Sequence, residues 1–252
     1  MEIVYATEPG SPDRRCEDYI VCGPDWIAVF DGATAPAGVE SGCVHDVAWL
    51  VRRLASAVSA RMPVSDAPLA DILSAAIVSV RHSHERTCDL ANPDSPSSTV
   101  SLCRVSGRVL EYLALADSPI VVRPAGGGAV VIRDDALDHL PGGRPYTREL
   151  VRGTRNQPGG FWVASTVPEA AYHGVSGAVD VTPGTELAVL TDGASRVAEV
   201  YGHTWDDLLR ILREDGPRQL IARVRALEER NPPPGKRHDD ATAVFATIKT
   251  QN

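Results

Sequence analysis

Tyr19-Ile20-Val21-Cys22-Gly23-Pro24-Asp25-Trp26-Ile27-Ala28-Val29-Phe30-Asp31-Gly32 decides the fold class. Two short β-rich runs, Tyr19 to Cys22 and Trp26 to Phe30, flank Gly23-Pro24-Asp25. Glycine, proline and aspartate interrupt extended chain and make tight turns, so the two runs pair as an antiparallel hairpin. Another short run, Ile3 to Ala6, precedes them.

Downstream the apolar period lengthens. Val44, Val47, Ala48, Val51, Leu54, Ala55 and Val58 recur at helical spacing. A second stripe runs from Leu69 to Val80, with Asp66 expected as its N-cap and Pro68 in its first turn. Pro63 separates the two helices, which are expected to run antiparallel. His82 and His84 read as a solvated helix end.

Strand runs then resume at Thr99 to Val105, Val109 to Ala116, Ile120 to Arg123 and Ala129 to Ile132. Ser106-Gly107 and Gly126-Gly127-Gly128 supply turns. The stretch from Asp134 to Gly184 is rich in Gly and Pro and is expected to form an irregular flap inserted over the core. Glu186 to Thr191 reads as a strand. Two helices follow, the first marked by Trp205, Leu208, Leu209 and Leu212 with Thr204 as N-cap, the second by Leu220, Ile221, Val224 and Leu227. Ala241 to Ile248 reads as a final strand.

Hairpin-joined strands alternating with pairs of helices predict an α+β fold. The expected form is a four-layer α-β-β-α sandwich of two antiparallel sheets, with helix pairs on the outer faces. One domain spans 1–252. A doubly wound sheet would need an alternating βαβα order, which is absent.

Bulk properties narrow the function. The apolar fraction of 43% supports a buried core, and the mean hydropathy is −0.11. A net charge of −8 disfavours nucleic acid and anionic membrane as partners. No apolar run approaches the ~18–20 residues that span a bilayer. Met1-Glu2-Ile3-Val4-Tyr5 lacks the basic start of a secretory leader. Five cysteines, Cys16, Cys22, Cys43, Cys88 and Cys103, are widely spaced without a C-x-x-C pair. That pattern reads as neither a disulfide framework nor a zinc site, and it predicts a reducing, cytoplasmic setting. Cys22 and Cys103 lie in apolar runs and are expected to be core residues.

Acids recur at the edges of apolar strands. The instances are Val29-Phe30-Asp31-Gly32, Leu115-Ala116-Asp117-Ser118, Leu190-Thr191-Asp192-Gly193 and Asp239-Asp240 before Ala241. Glu17-Asp18 opens the strand at Tyr19. Strand ends converge in a twisted sheet, and gathered carboxylates suit hard cations such as Mg²⁺ and Mn²⁺. Gly32 would let its backbone carbonyl approach an ion. Any single Asp-Gly pair is more often a turn than a ligand.

Taken in order, these segments resemble the type-2C metal-dependent protein phosphatases from end to end. The match runs through Arg14-Arg15-Cys16-Glu17-Asp18, Val29-Phe30-Asp31-Gly32, Ser97-Ser98-Thr99-Val100 and Ala116-Asp117-Ser118. It continues through Asp138-His139-Leu140-Pro141, Leu190-Thr191-Asp192-Gly193 and Asp239-Asp240-Ala241-Thr242. The resemblance implies a phosphoester hydrolase, most simply a serine/threonine protein phosphatase, with two divalent ions, Mn²⁺ or Mg²⁺. It implies that Asp31, Asp192 and Asp239 hold the ions and do the catalytic work. Gly32 would offer its carbonyl, with Asp18 and Glu17 bonded through water. Asp117, with Asp192, would take a third ion. A metal-activated water would attack phosphorus in line, and Arg14 or Arg15 would hold the phosphate oxygens.

The chain departs from that family at several points. Ala33-Thr34-Ala35-Pro36 stands where histidine or methionine and a glycine pair are common, so no general acid is evident. Ala116 replaces a glycine and Pro119 replaces an arginine. These departures keep two alternatives open: a small phosphorylated substrate on the same fold, or a catalytically silent binding domain. An aspartyl-phosphate hydrolase is excluded because Val29 occupies its nucleophile position.

Overall fold

The computed structural model describes residues 1–35, 38–143 and 146–250. Pro36, among the departures above, lies outside them. The hairpin is present: β2 (Tyr19–Cys22) pairs antiparallel with β3 (Trp26–Ala33), Tyr19 opposite Phe30. β3 also pairs antiparallel with β4 (Ser97–Ser106), which in turn pairs with β5 (Val109–Leu115). The sheet ends on β8 (Val175–Asp180), in the order β2-β3-β4-β5-β8.

The second sheet has β1 (Glu2–Glu8) at one edge, then β10 (Ala241–Thr247), β9 (Glu186–Leu190), β6 (Ile120–Arg123) and β7 (Val130–Ile132). The pairings within both sheets are antiparallel.

Side-chain alternation sorts β3 between two cores. Ala28 and Phe30 pack against helices α1 (Val47–Ser59) and α2 (Leu69–His84). Ile27 and Val29 point the other way, into a core shared with Leu187 and Val189 of the opposite sheet. A strand buried on both faces carries an unbroken apolar run, which is why β3 was so legible. On the far side, α5 (Trp205–Glu214) and α6 (Pro217–Arg230) bury Leu208, Leu212, Ile221 and Val224 against Leu190 and Ala243. The four expected layers are present.

Several local expectations need correction. Helix α2 takes Pro68 as its N-cap and begins at Leu69, without an Asp66 cap. The residue before a proline is pushed out of the helical region, so the helix does not reach back across Pro68. Thr204 does cap α5, in a reciprocal box with Asp207. Cys22 is exposed because β2 is a short edge strand, whereas Cys103 is fully buried as expected. His82 is exposed as expected, but His84 is buried, its Nδ1 2.7 Å from the Val80 carbonyl oxygen, so that helix end is solvated on one side only.

The 134–184 stretch carries a short helix α3 (Arg148–Thr154) as well as β8. Another unpredicted helix, α4 (Asp192–Glu199), starts on the aspartate expected to follow a strand. No helix among the described residues is long and apolar enough to cross a membrane.

Candidate active site

The topology brings the strand-edge acids to one end of the sandwich. β3 runs out through Asp31, opposite Thr99 of β4. Asp18 lies one residue before β2, and so one step beyond the Tyr19–Phe30 pair, beside Asp31. Asp117 follows the end of β5, whose Leu115 pairs with Val100. In the other sheet Leu190 pairs with Ala243, which sets Asp192 and Asp239 at the same end.

Electrostatics shows that these acids share one space. Burial drives the Asp31 carboxyl well above the ordinary carboxylate range, and the charges of Asp18, Asp192, Asp117 and Asp239 add to the effect. Asp192 is pushed up to about 7, first by burial and then by Asp239 and Asp117. Asp18 is pushed up to about 8 by burial, against hydroxyl hydrogen bonds from Thr191 and Thr242. Thr191 Oγ1 donates to Asp18 Oδ2 at 2.8 Å. The other oxygen, Oδ1, is buried without a hydrogen-bond partner among the described residues.

The two glycines beside these acids are not turn residues. Gly32 lies within β3, where a Cβ would stand 2.4 Å from Val47 Cγ1 and 2.7 Å from the Glu17 carbonyl oxygen. Gly193 lies in α4, where a Cβ would stand 2.0 Å from the Asp240 carbonyl oxygen. Only glycine lets the first and last acidic segments close this tightly onto their neighbours.

Supporting side chains fix each segment. Glu17 accepts from Thr34 Oγ1 at 2.5 Å, and burial raises its carboxyl. Beneath Asp117, the hydroxyls of Thr99 and Ser118 meet at 2.5 Å, and Ser101 Oγ donates to the Ser118 carbonyl at 2.6 Å. This explains the small polar residues of β4. Ala116 adopts φ 64, a left-handed conformation that costs a non-glycine residue about 1–2 kcal/mol. The Asp134 carboxylate holds its N–H at 2.9 Å.

Asp239 is engaged differently. Its carboxylate is paired with Lys236, and Arg196 Nη2 lies 3.5 Å away. Behind it, fully buried Glu228 gathers Arg196, Arg225 and His238. Burial opposes that charge, but hydrogen bonds from His238, Arg225 and Arg196 hold the Glu228 carboxyl below its usual range. Arg225 also donates to the Asp239 carbonyl oxygen. Glu228 was not singled out in the sequence, since its partners lie on other segments or at unremarkable spacing.

Arg14, Arg15, Lys236 and Arg237 line one cleft together with Glu17 and Asp240. Arg15 faces Asp46 at 3.6 Å, both well exposed. The Lys236-Arg237 pair, missed earlier, was signalled only by its position before Asp239-Asp240. Asp138 and His139 do not join the acids. They lie in a single 3-10 turn, with Asp138 paired to Arg133 at 3.2 Å.

The donor set fits hard divalent ions in ligand type and charge, and the orphaned Asp18 oxygen marks a position awaiting a donor or cation. Among the described residues, no three carboxylate, thiol or imidazole groups already stand at ligand spacing around one point.

The sequence profile of the protein phosphatase 2C family matches residues 11–226. The chain belongs to that family and is a metal-dependent protein phosphatase, a hydrolytic enzyme of phosphorylated proteins. A comparison with curated protein sequences gave no match. Among solved structures, the catalytic domain of the serine/threonine phosphatase PstP in complex with two manganese ions superposes with a TM-score of 0.65 at 16% identity. The superposition covers 99% of this chain and 98% of that one. PstP/Ppp of Mycobacterium tuberculosis gives 0.63 at 17% identity, covering 99% of each chain. PppA of Pseudomonas aeruginosa, a regulatory component of its type VI secretion system, gives 0.61 at 15%, covering 98% and 97%. At these identities the likeness is one of fold.

Proposed function

We propose that the acid ring holds a pair of divalent cations, Mn²⁺ or Mg²⁺, and that phosphoserine and phosphothreonine proteins are hydrolysed there. Asp31, Asp192 and Asp239 would hold the pair, with the Gly32 carbonyl as a further ligand. Asp18 and Glu17 would bond through water, and Asp117 with Asp192 would offer a third, weaker position. The observation that carries this reading is the crowding of Asp31 by four other carboxylates beside a buried Asp18 oxygen that has no hydrogen-bond partner among the described residues. Uncompensated charge of that density is costly unless cations or protons offset it. PstP, with two manganese ions, shares the fold.

When bound, such a pair lowers the pKa of a water and supplies the nucleophile for in-line displacement at phosphorus. The protein's own groups do the rest. We assign phosphate binding to Arg14, which lies in the field of Glu17 while Arg15 is drawn to Asp46. Lys236 and Arg237 extend the basic wall. Ala33 carries no proton to give, so leaving-group protonation falls to water. The cytoplasmic setting is part of the same proposal and is supported by the free thiols.

The test has two arms. Titration calorimetry with Mn²⁺ should give two strong sites per chain. A panel of phosphopeptides and small phosphorylated metabolites should show the peptides turned over far faster. Preference for a metabolite would move the substrate assignment while leaving the metal site in place.

A further inference from the structure

Cys43 and Cys88 are 45 residues apart in sequence, yet their Sγ atoms lie 2.7 Å apart, closer than two unbonded sulfurs comfortably sit. The loops that carry them are stitched together independently of the sulfurs. Asp89 N–H donates to the Gly42 carbonyl at 2.7 Å, and Asn92 Nδ2 donates to the Glu40 carbonyl at 3.2 Å. Gly42 takes φ +68, and a Cβ there would stand 2.8 Å from Asn92 Nδ2, so the two loops meet at close range. Neither thiol is fully buried, in contrast to Cys103. Among the described residues no third His, Cys, Asp or Glu completes a metal site with them.

We infer that Cys43 and Cys88 form a reversible redox pair, oxidised by hydroperoxides to an intramolecular disulfide. Cys88 is the attacking sulfur. Burial works against its ionisation, but contacts from Cys43, the Val44 and His45 backbone and Thr87 hold its thiol below the ordinary range. Burial pushes Cys43 the other way, up to about 11. The Cys88 thiolate attacks the terminal peroxide oxygen, the O–O bond breaks, and the sulfur becomes a sulfenic acid as hydroxide or alkoxide leaves and takes up from solvent the proton the thiol gave up. The Cys43 sulfur then attacks the Cys88 sulfur. The S–S bond forms, the S–O bond breaks, and the thiol proton leaves with the hydroxyl as water.

The bond would bear on the catalytic end of the fold. Cys43 lies on the segment that leaves Asp31-Gly32, three residues before Asp46. Asp46 caps α1 and faces Arg15. The disulfide would close a loop around α1 and α2 and pin that segment to the end of α2.

Peptide mapping under non-reducing conditions tests this on the full chain, before and after limited hydrogen peroxide. The expected product is one linked species joining the Cys43 and Cys88 peptides, two hydrogens lighter than their sum and reversed by dithiothreitol. Closing this loop should raise the melting temperature by roughly 5–10 °C. Cys43→Ser should remove both the linkage and the shift. If Cys43 and Cys88 both remain alkylatable while exposed Cys22 is oxidised, the proposal is overturned. Linkage of Cys88 to any other cysteine would also overturn it.

Discussion

Asp240 Oδ2 accepts the backbone N–H of Glu17 at 2.6 Å, across 223 residues of sequence. Its other oxygen accepts Gly10 N–H at 2.7 Å. One side chain therefore clasps the first acidic segment to the last, and the two sheets meet at the site through it. Asp240→Ala should cost about 2–3 kcal/mol by leaving two donors unpaired. It should also weaken Mn²⁺ binding, because Asp18 and Asp239 would lose their common anchor. Urea unfolding and calorimetry would check the pair of effects. A stability loss with unchanged metal affinity would show that the clasp is only structural.

The crowded carboxylates predict an unusual pH dependence for the metal-free protein. Asp18 and Asp192 have folded-state values of about 8 and about 7, above the ordinary carboxylate range. An acid raised on folding binds its proton more tightly in the native state. Its contribution is therefore full at acid pH and is lost as pH rises toward the folded value. Between about pH 6 and 8 the metal-free protein should lose up to about 1.4 kcal/mol per pH unit for each such proton. Saturating Mn²⁺ should flatten the trend, since cations replace protons. Melting temperatures across that range, with and without metal, decide it; a metal-free protein that gains stability as pH rises would contradict the account.

Glu228 is fully buried beneath Arg196, Arg225 and His238. Glu228→Ala strands two guanidinium groups in a nearly dry site, so about 3–5 kcal/mol of stability should be lost. Glu228→Gln keeps the shape, should lose less, and isolates the effect of charge on Asp239. Comparison of their denaturant midpoints is the measurement. Equal, small losses in both would show that the cage is dispensable.

Much of this architecture was written in the chain, for identifiable reasons. β3 is buried on both faces, so its apolar run was unbroken. The α1 and α5 stripes were strongly periodic, and Thr204 announced its cap. β8 gave no such signal because almost every residue in it is exposed at the sheet edge. Helix α4 is only eight residues long and begins at an acid-glycine pair that mimics a turn. The acids were visible one by one at strand edges, but the Asp240 clasp, the Glu228 cage and the Cys43–Cys88 contact join residues far apart in sequence. No local spacing encodes them.

Lys236 is paired with the Asp239 carboxylate, so it would compete with any cation held there. Lys236→Gln should tighten Mn²⁺ binding about two- to fivefold, the worth of a half-exposed ion pair. The same change should raise KM for a phosphopeptide, since it removes a positive charge from the cleft wall. Opposite movements of metal affinity and substrate KM are the expected signature. Weaker metal binding in the variant would show that Lys236 supports the ring instead of competing for it.

Asp31 is central to the whole reading, and hydrolysis of a small aryl phosphate is its most direct test. That substrate has a good leaving group and needs no contact with the wall of the cleft, so neither the absent acid at Ala33 nor an unusual substrate preference can mask activity. The wild-type protein should turn it over with Mn²⁺ and not after chelation. Asp31→Asn should lose at least about a hundredfold in kcat, as expected when a principal charge at a catalytic centre is removed. A folded wild-type protein that binds Mn²⁺ yet turns over nothing, or an Asp31→Asn variant as active as wild type, would contradict the account.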